Sequence, residues 1–83
     1  LASQVVPADQ CLARARAVAA EIVANAPLAV QGAKRLMRMA ADETFDNHVH
    51  HVYLQLLPLF QSEDFREGMK AFIERRQARF HGR

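Results

Sequence analysis

Apolar residues recur at intervals of three and four along most of this chain, the spacing that gathers side chains on one face of an α-helix. Leu12, Ala15, Ala19, Ile22 and Val23 keep that rhythm with Arg14, Arg16 and Glu21 between them, which predicts a first helix over about 8–25. Pro7 suits the edge of its first turn, and Asp9 puts a carboxylate at the positive end of the helix dipole. Residues 1–6 read as a short extended lead-in, because Val5 and Val6 favour β geometry and the residue before a proline avoids the α region. Asn25-Ala26-Pro27 closes the first helix, and Pro27 opens a second that runs to about Ala41. Its stripe is Ala29, Ala33, Leu36, Met37 and Ala40, with Lys34, Arg35 and Arg38 solvated. The small Ala29, Gly32 and Ala33 predict a close helix–helix approach.

Asp42 and Glu43 fall in a connection, and Thr44 is an N-cap for a third helix over roughly 44–60. Phe45, Val49, Val52, Leu56, Leu59 and Phe60 share its broad face. Pro58 lies inside the pattern and is expected to kink the helix or end it near Leu57. The stretch from Val52 to Phe60 is apolar almost all round, which predicts cover on more than one side, from a partner in a chain this small. Ser62 then caps a fourth helix. Glu63, Asp64 and Glu67 fill its first turns and Arg75, Arg76 and Arg79 its end, the charge order that the dipole favours. Phe65, Met69, Phe72, Ile73 and Arg76 trace one face, and Gly82 loosens the tail. The expected fold class is all-α, four helices with short connections, in a single domain over 1–83.

Composition adds that this domain is short of core. Of 42 apolar residues in 83, fifteen are alanine and only 22 are Leu, Ile, Val or Phe. That is a thin supply for an independent fold at a length where stability is already marginal. The charge, 24% of residues, and three Gly with three Pro argue against disorder. No apolar run is long enough to span a membrane, and no signal peptide is visible. The opening at Leu1 instead of Met reads as a chain processed or cut from something longer. A single cysteine, Cys11, excludes an internal disulfide and makes a reducing, cytoplasmic setting the default. The net charge of +2 is too small to argue for nucleic acid, but six Lys/Arg against two acids between Phe65 and Arg83 make that end the place for an anion.

His48 and His51 are three apart and could share a face, yet two imidazoles are not a metal site; Asn47 is a poor third ligand, and Asp46 and Glu43 are only possible ones. The reading taken is polar surface or interface histidines, His50 included, and no metal. Cys11 has no activating partner and reads as a small half-buried residue. The carboxylate pairs Asp42/Glu43 and Glu63/Asp64 stand at helix starts, where capping and dipole account for them. Lys34, Arg35 and Arg38 lack the interleaved aromatics of a nucleic-acid patch. No phosphate loop or nucleophile elbow is present, so no catalytic residue is assigned.

The string from Ser62 to Phe80 is more specific. It runs Ser-Glu-Asp-Phe-Arg-Glu-Gly-Met-Lys-Ala-Phe-Ile-Glu-Arg-Arg-Gln-Ala-Arg-Phe. It resembles the C-terminal end of the enoyl-CoA hydratase/isomerase (crotonase) family, whose pattern there is Ser-Glu-Asp-x-x-Glu-Gly-x-x-Ala-Phe-x-Glu-Lys-Arg-x-x-x-Phe. Two further pieces agree in order. They are Val5-Val6-Pro7 with the helix after it, and Ala24-Asn25-Ala26-Pro27-Leu28-Ala29-Val30 followed by Lys34-Arg35. The resemblance covers essentially the whole chain.

The resemblance implies a C-terminal helical domain that builds the trimer interface of the parent and helps to cover its active site. The chemistry would lie upstream, in repeated ββα turns supplying two backbone N–H groups as an oxyanion hole and, in hydratases, two glutamates as acid and base. The parent would be a homo-oligomer, trimer or hexamer, acting on a coenzyme A thioester with no further cofactor, no membrane and no nucleic acid. It would hydrate a 2-enoyl-CoA to a 3-hydroxyacyl-CoA, and the 83 residues alone would be inactive. One binding role maps across: the aromatic and the cation that lie near the adenine end of coenzyme A fall on Phe72 and Arg75. Arg75 stands where the family has Lys, a fork in place of a point charge. The competing reading keeps Phe72 in the core. Pro58 and the histidines depart from the pattern. The alternative of a different class is a free-standing helical interaction module with no catalytic activity.

Overall fold

The computed structural model describes residues 2–83; Leu1, the head of the expected lead-in, lies outside them. One 3₁₀ turn, Ala8–Gln10, leads into α1 (Cys11–Val23), α2 (Pro27–Met39), α3 (Phe45–Gln61) and α4 (Glu63–Ile73), and no strand occurs among the described residues. The all-α expectation holds. The expected first helix begins instead as this 3₁₀ turn, closed by Gln10 N–H donating to the Pro7 carbonyl.

The ends of α1 and α3 have local causes. Asn25 stops α1 through its side chain: Nδ2 donates to the Glu21 carbonyl at 2.7 Å, satisfying an acceptor the helix leaves over. Thr44 Oγ1 accepts from Asn47 N–H and caps α3. Pro58 does not end that helix. α3 continues to Gln61, because the proline withholds one N–H but the last turn closes regardless, with Ser62 N and Oγ both donating to the Leu59 carbonyl. Ser62 then accepts from Phe65 N–H, so one residue caps the end of α3 and the start of α4.

α4 is shorter than the expected helix through Arg79. It stops at Ile73, and Arg75 adopts φ 52°, the left-handed region. Arg76 N–H donates to the Ala71 carbonyl and Arg75 N–H to the Phe72 carbonyl, the two bonds of a Schellman turn. Glycine usually stands at the left-handed position; a side chain with a Cβ costs about 1 kcal/mol there. The chain then runs back as an irregular tail over 77–83. Gly82, also left-handed at φ 76°, passes beside Pro27 at the start of α2.

α2 packs on α3 and α3 on α4, while the chief neighbour of α1 is the 3₁₀ turn. At the α2–α3 contact Gly32 is buried, and a Cβ there would lie 2.8 Å from Gln55 Nε2, so the close approach expected of the small residues is real. The result is a layer of 43 × 40 × 18 Å. Ala71 is the one buried apolar residue among those described.

Candidate functional site

α4 separates a polar face from an apolar one. Its inward side carries Asp64, Glu67, Gly68 and Ala71, at spacings of three and four, and the tail lies over it. The apolar residues Phe65, Met69, Phe72 and Ile73 face outward; Phe72 is 82% exposed and therefore no part of a core of this chain. Phe65 has one aromatic neighbour, Phe60, edge to face at 5.2 Å.

Asp64, only 2% exposed, accepts from the backbone N–H groups of His81 and Gly82 at 2.7 Å each. Its own N–H donates to the Arg83 carbonyl. Glu67 takes a bidentate fork from Arg76, Nη1 to Oε1 at 2.6 Å and Nη2 to Oε2 at 3.1 Å, and also accepts from Arg79 N–H at 2.9 Å. Arg76 Nε reaches Glu74 at 2.6 Å. The Arg76 fork, then the Arg79 amide, hold the Glu67 carboxyl well below its ordinary value, at about 2. The same carboxylates, Glu67 first and Glu74 second, raise the Arg76 pKa. Glu63 meets Arg83 at 3.0 Å on the outer rim. These groups surround a polar groove of about 980 Å³ between α4 and the tail.

Arg75 stands in the turn after α4, its backbone N–H donating to the Phe72 carbonyl at 3.3 Å and its side chain in no ion pair among the described residues. Arg75 lies beyond the end of α4 and is tied to Phe72 by the Schellman turn, so the two do not share a helical face. Phe72 and Arg75, the expected pair, are both exposed.

The other candidates resolve differently. Glu43 is no cap, since Thr44 holds that place: its two oxygens take His48 Nδ1 at 2.7 Å and His51 Nδ1 at 2.6 Å, which lowers the Glu43 pKa against the opposing effect of its burial. No group of three or more His, Cys, Asp or Glu placed to hold a metal occurs among the described residues. Cys11 is exposed, not half-buried, because α1 has so little packed against it. Lys34, Arg35 and Arg38 are exposed, and Lys34 and Arg38 flank an apolar groove of about 710 Å³ formed with Ile22, Val30, Ala33 and Met37. No helix among the described residues is long and apolar enough to cross a membrane. Sequence reading missed the second roles of Asp64 and Glu67; their place on one side of α4 was visible, but their backbone partners in the tail were not.

Comparison with known proteins agrees over the whole length. Residues 1–83 match the family described as Enoyl-CoA hydratase/isomerase. The enoyl-CoA hydratase EchA19 of Mycobacterium tuberculosis is 37% identical over 84 aligned positions, covering 100% of this chain and 31% of the relative. The mitochondrial Delta(3,5)-Delta(2,4)-dienoyl-CoA isomerase of Dictyostelium discoideum is 36% identical over 72, covering 87% and 25%. Among solved structures, an enoyl-CoA hydratase from Mycobacterium tuberculosis H37Rv superposes with a TM-score of 0.91 at 34% identity, over 98% of this chain and 32% of its own. The chain thus spans about a quarter to a third of the length of the relatives it matches.

Proposed function

This chain belongs to the enoyl-CoA hydratase/isomerase family, and from that premise we propose that it is the C-terminal helical domain of a longer enzyme. In that enzyme it builds the subunit interface of a trimer or hexamer and covers the acyl-CoA site. The observation that carries this reading is the outward apolar stripe of α4 together with exposed Tyr53, Leu54 and Leu57 on α3. A layer that leaves such side chains in water is made to be covered.

The reaction of the whole enzyme is the addition of water across the C2=C3 bond of a 2-enoyl-CoA, giving a 3-hydroxyacyl-CoA. The acid, the base and the donors to the thioester oxygen come from outside residues 1–83. Phe72 and Arg75 serve the far end of the substrate, the aromatic face against adenine and the guanidinium against phosphate. A reducing compartment such as the cytoplasm suits the single exposed thiol.

Turnover of crotonyl-CoA tests the assignment. The enzyme containing this chain is expected to hydrate it, the 83 residues alone to give none, and deletion of these residues to abolish both oligomerisation and turnover. An enzyme that keeps its subunit count and rate after the deletion would leave the chain as an interaction module without a catalytic part.

A further inference from the structure

Arg75 is held in a backbone conformation that its own side chain disfavours, and such conformations persist where the surroundings over-determine them. The turn is fixed from both sides. Before it stand the hydrogen bonds of Arg75 N–H to Phe72 and Arg76 N–H to Ala71. After it, the Arg76 guanidinium and the Arg79 amide both end on Glu67, which closes a ring from the second turn of α4 to the tail. Glu67 is half-buried, and its low pKa keeps it charged whenever the protein is folded near neutrality. Arg76 is fully engaged by Glu67 and Glu74, so within this turn Arg75 is the cation left for an external anion.

We propose that Glu67 is a positioning residue for the nucleotide end of coenzyme A: by clamping Arg76 and Arg79 it locks the turn that keeps Arg75 beside Phe72. The inference rests on the reading of Phe72 and Arg75 given above, and it assigns Glu67 no contact with the ligand. A pre-set cation binds phosphate without first giving up backbone freedom, so loss of the clamp reads out as loss of affinity.

The test compares two substrates of the assembled enzyme, a 2-enoyl-CoA and the same acyl group on pantetheine, which lacks the nucleotide. Glu67→Gln is expected to raise KM for the CoA substrate about tenfold with kcat unchanged, and to leave kcat/KM for the pantetheine thioester as it was. Arg76→Gln, which opens the same fork from the other side, is expected to repeat that split. Glu63→Gln, which frees only the Arg83 end of the tail, is expected to change neither substrate. Equal losses on both substrates would make the Glu67 clamp merely structural and overturn the proposal. So would an unchanged KM in Glu67→Gln while Phe72→Ala and Arg75→Ala still penalise the CoA substrate alone. If Phe72→Ala and Arg75→Ala show no preference between the substrates, the reading of those two residues falls and takes this proposal with it.

Discussion

At the scale of single residues, Asp64 and Glu67 hold the tail by different means. Asp64 is desolvated and satisfied by backbone amides of His81 and Gly82. Replacing it with Ala removes both bonds, and a hydrogen bond to a charged group contributes roughly 1.5–3 kcal/mol. Asp64→Ala is therefore expected to speed hydrogen exchange at His81 and Gly82 by about 10–150-fold, while amides in α2 stay protected. Unchanged exchange at those two positions would show that the tail is held elsewhere. Glu67 supplies a pH dependence instead. Its carboxyl sits below the unfolded value of 4.5, at about 2, so the stabilisation is complete above 4.5 and is lost as pH falls through about 2. The Arg79 amide is expected to lose protection between those values, and Glu67→Gln to remove that step from the profile. In the sequence both residues looked like dipole-matching acids of a first turn. Their true partners are 9 to 18 residues away and are mostly main-chain groups, which carry no signature in residue type.

At the scale of elements, the helices were legible where the signal is local. Thr44 and Ser62 cap where the pattern put them, and Pro27 opens α2. The end of α3 was expected near 60 with Pro58 as a kink or an early stop; the helix runs through the proline to Gln61, its last turn closed by a serine. One boundary was not legible. The end of α4 carried no stop signal, because Glu74, Arg75, Arg76 and Gln77 are ordinary helix residues; a contact nine residues long, Arg76 to Glu67, accompanies the break. The apolar stripe of α4 was legible as one face, but such a stripe does not say against what it will be buried, which left Phe72 open between core and ligand contact. Gly68 gives a test within this element. A Cβ there would meet Phe80 ring atoms at 3.6 and 3.9 Å, ordinary contact distances. Gly68→Ala thus adds helix propensity without a clash and is expected to stabilise by about 1 kcal/mol, or roughly 4–8 °C in Tm. A fall in Tm would mean that the tail approaches α4 more closely than these distances allow.

At the scale of the whole molecule, the thin core predicted by fifteen alanines becomes a measurable excess of surface. A compact monomer of 9.4 kDa exposes about 5,000 Å². This chain exposes 7198 Å². The surplus of about 2,200 Å² equals between two and three standard interfaces at about 800 Å² a side. Its radius of gyration, 16.1 Å, likewise exceeds the roughly 12 Å of a compact domain of this length. Electrostatics do little to keep copies apart, since a net charge of +2 repels weakly at physiological salt. The 83-residue chain is therefore expected to self-associate, with a weight-average mass in sedimentation that rises with concentration. Leu57 offers the control: it is 60% exposed on α3, so Leu57→Lys removes apolar surface from water-facing territory without touching a core. That variant is expected to raise the monomer fraction and leave helicity unchanged. A wild-type chain that sediments as a compact monomer at high concentration would mean that the layer folds onto itself, burying Tyr53, Leu54 and Phe72 without any partner.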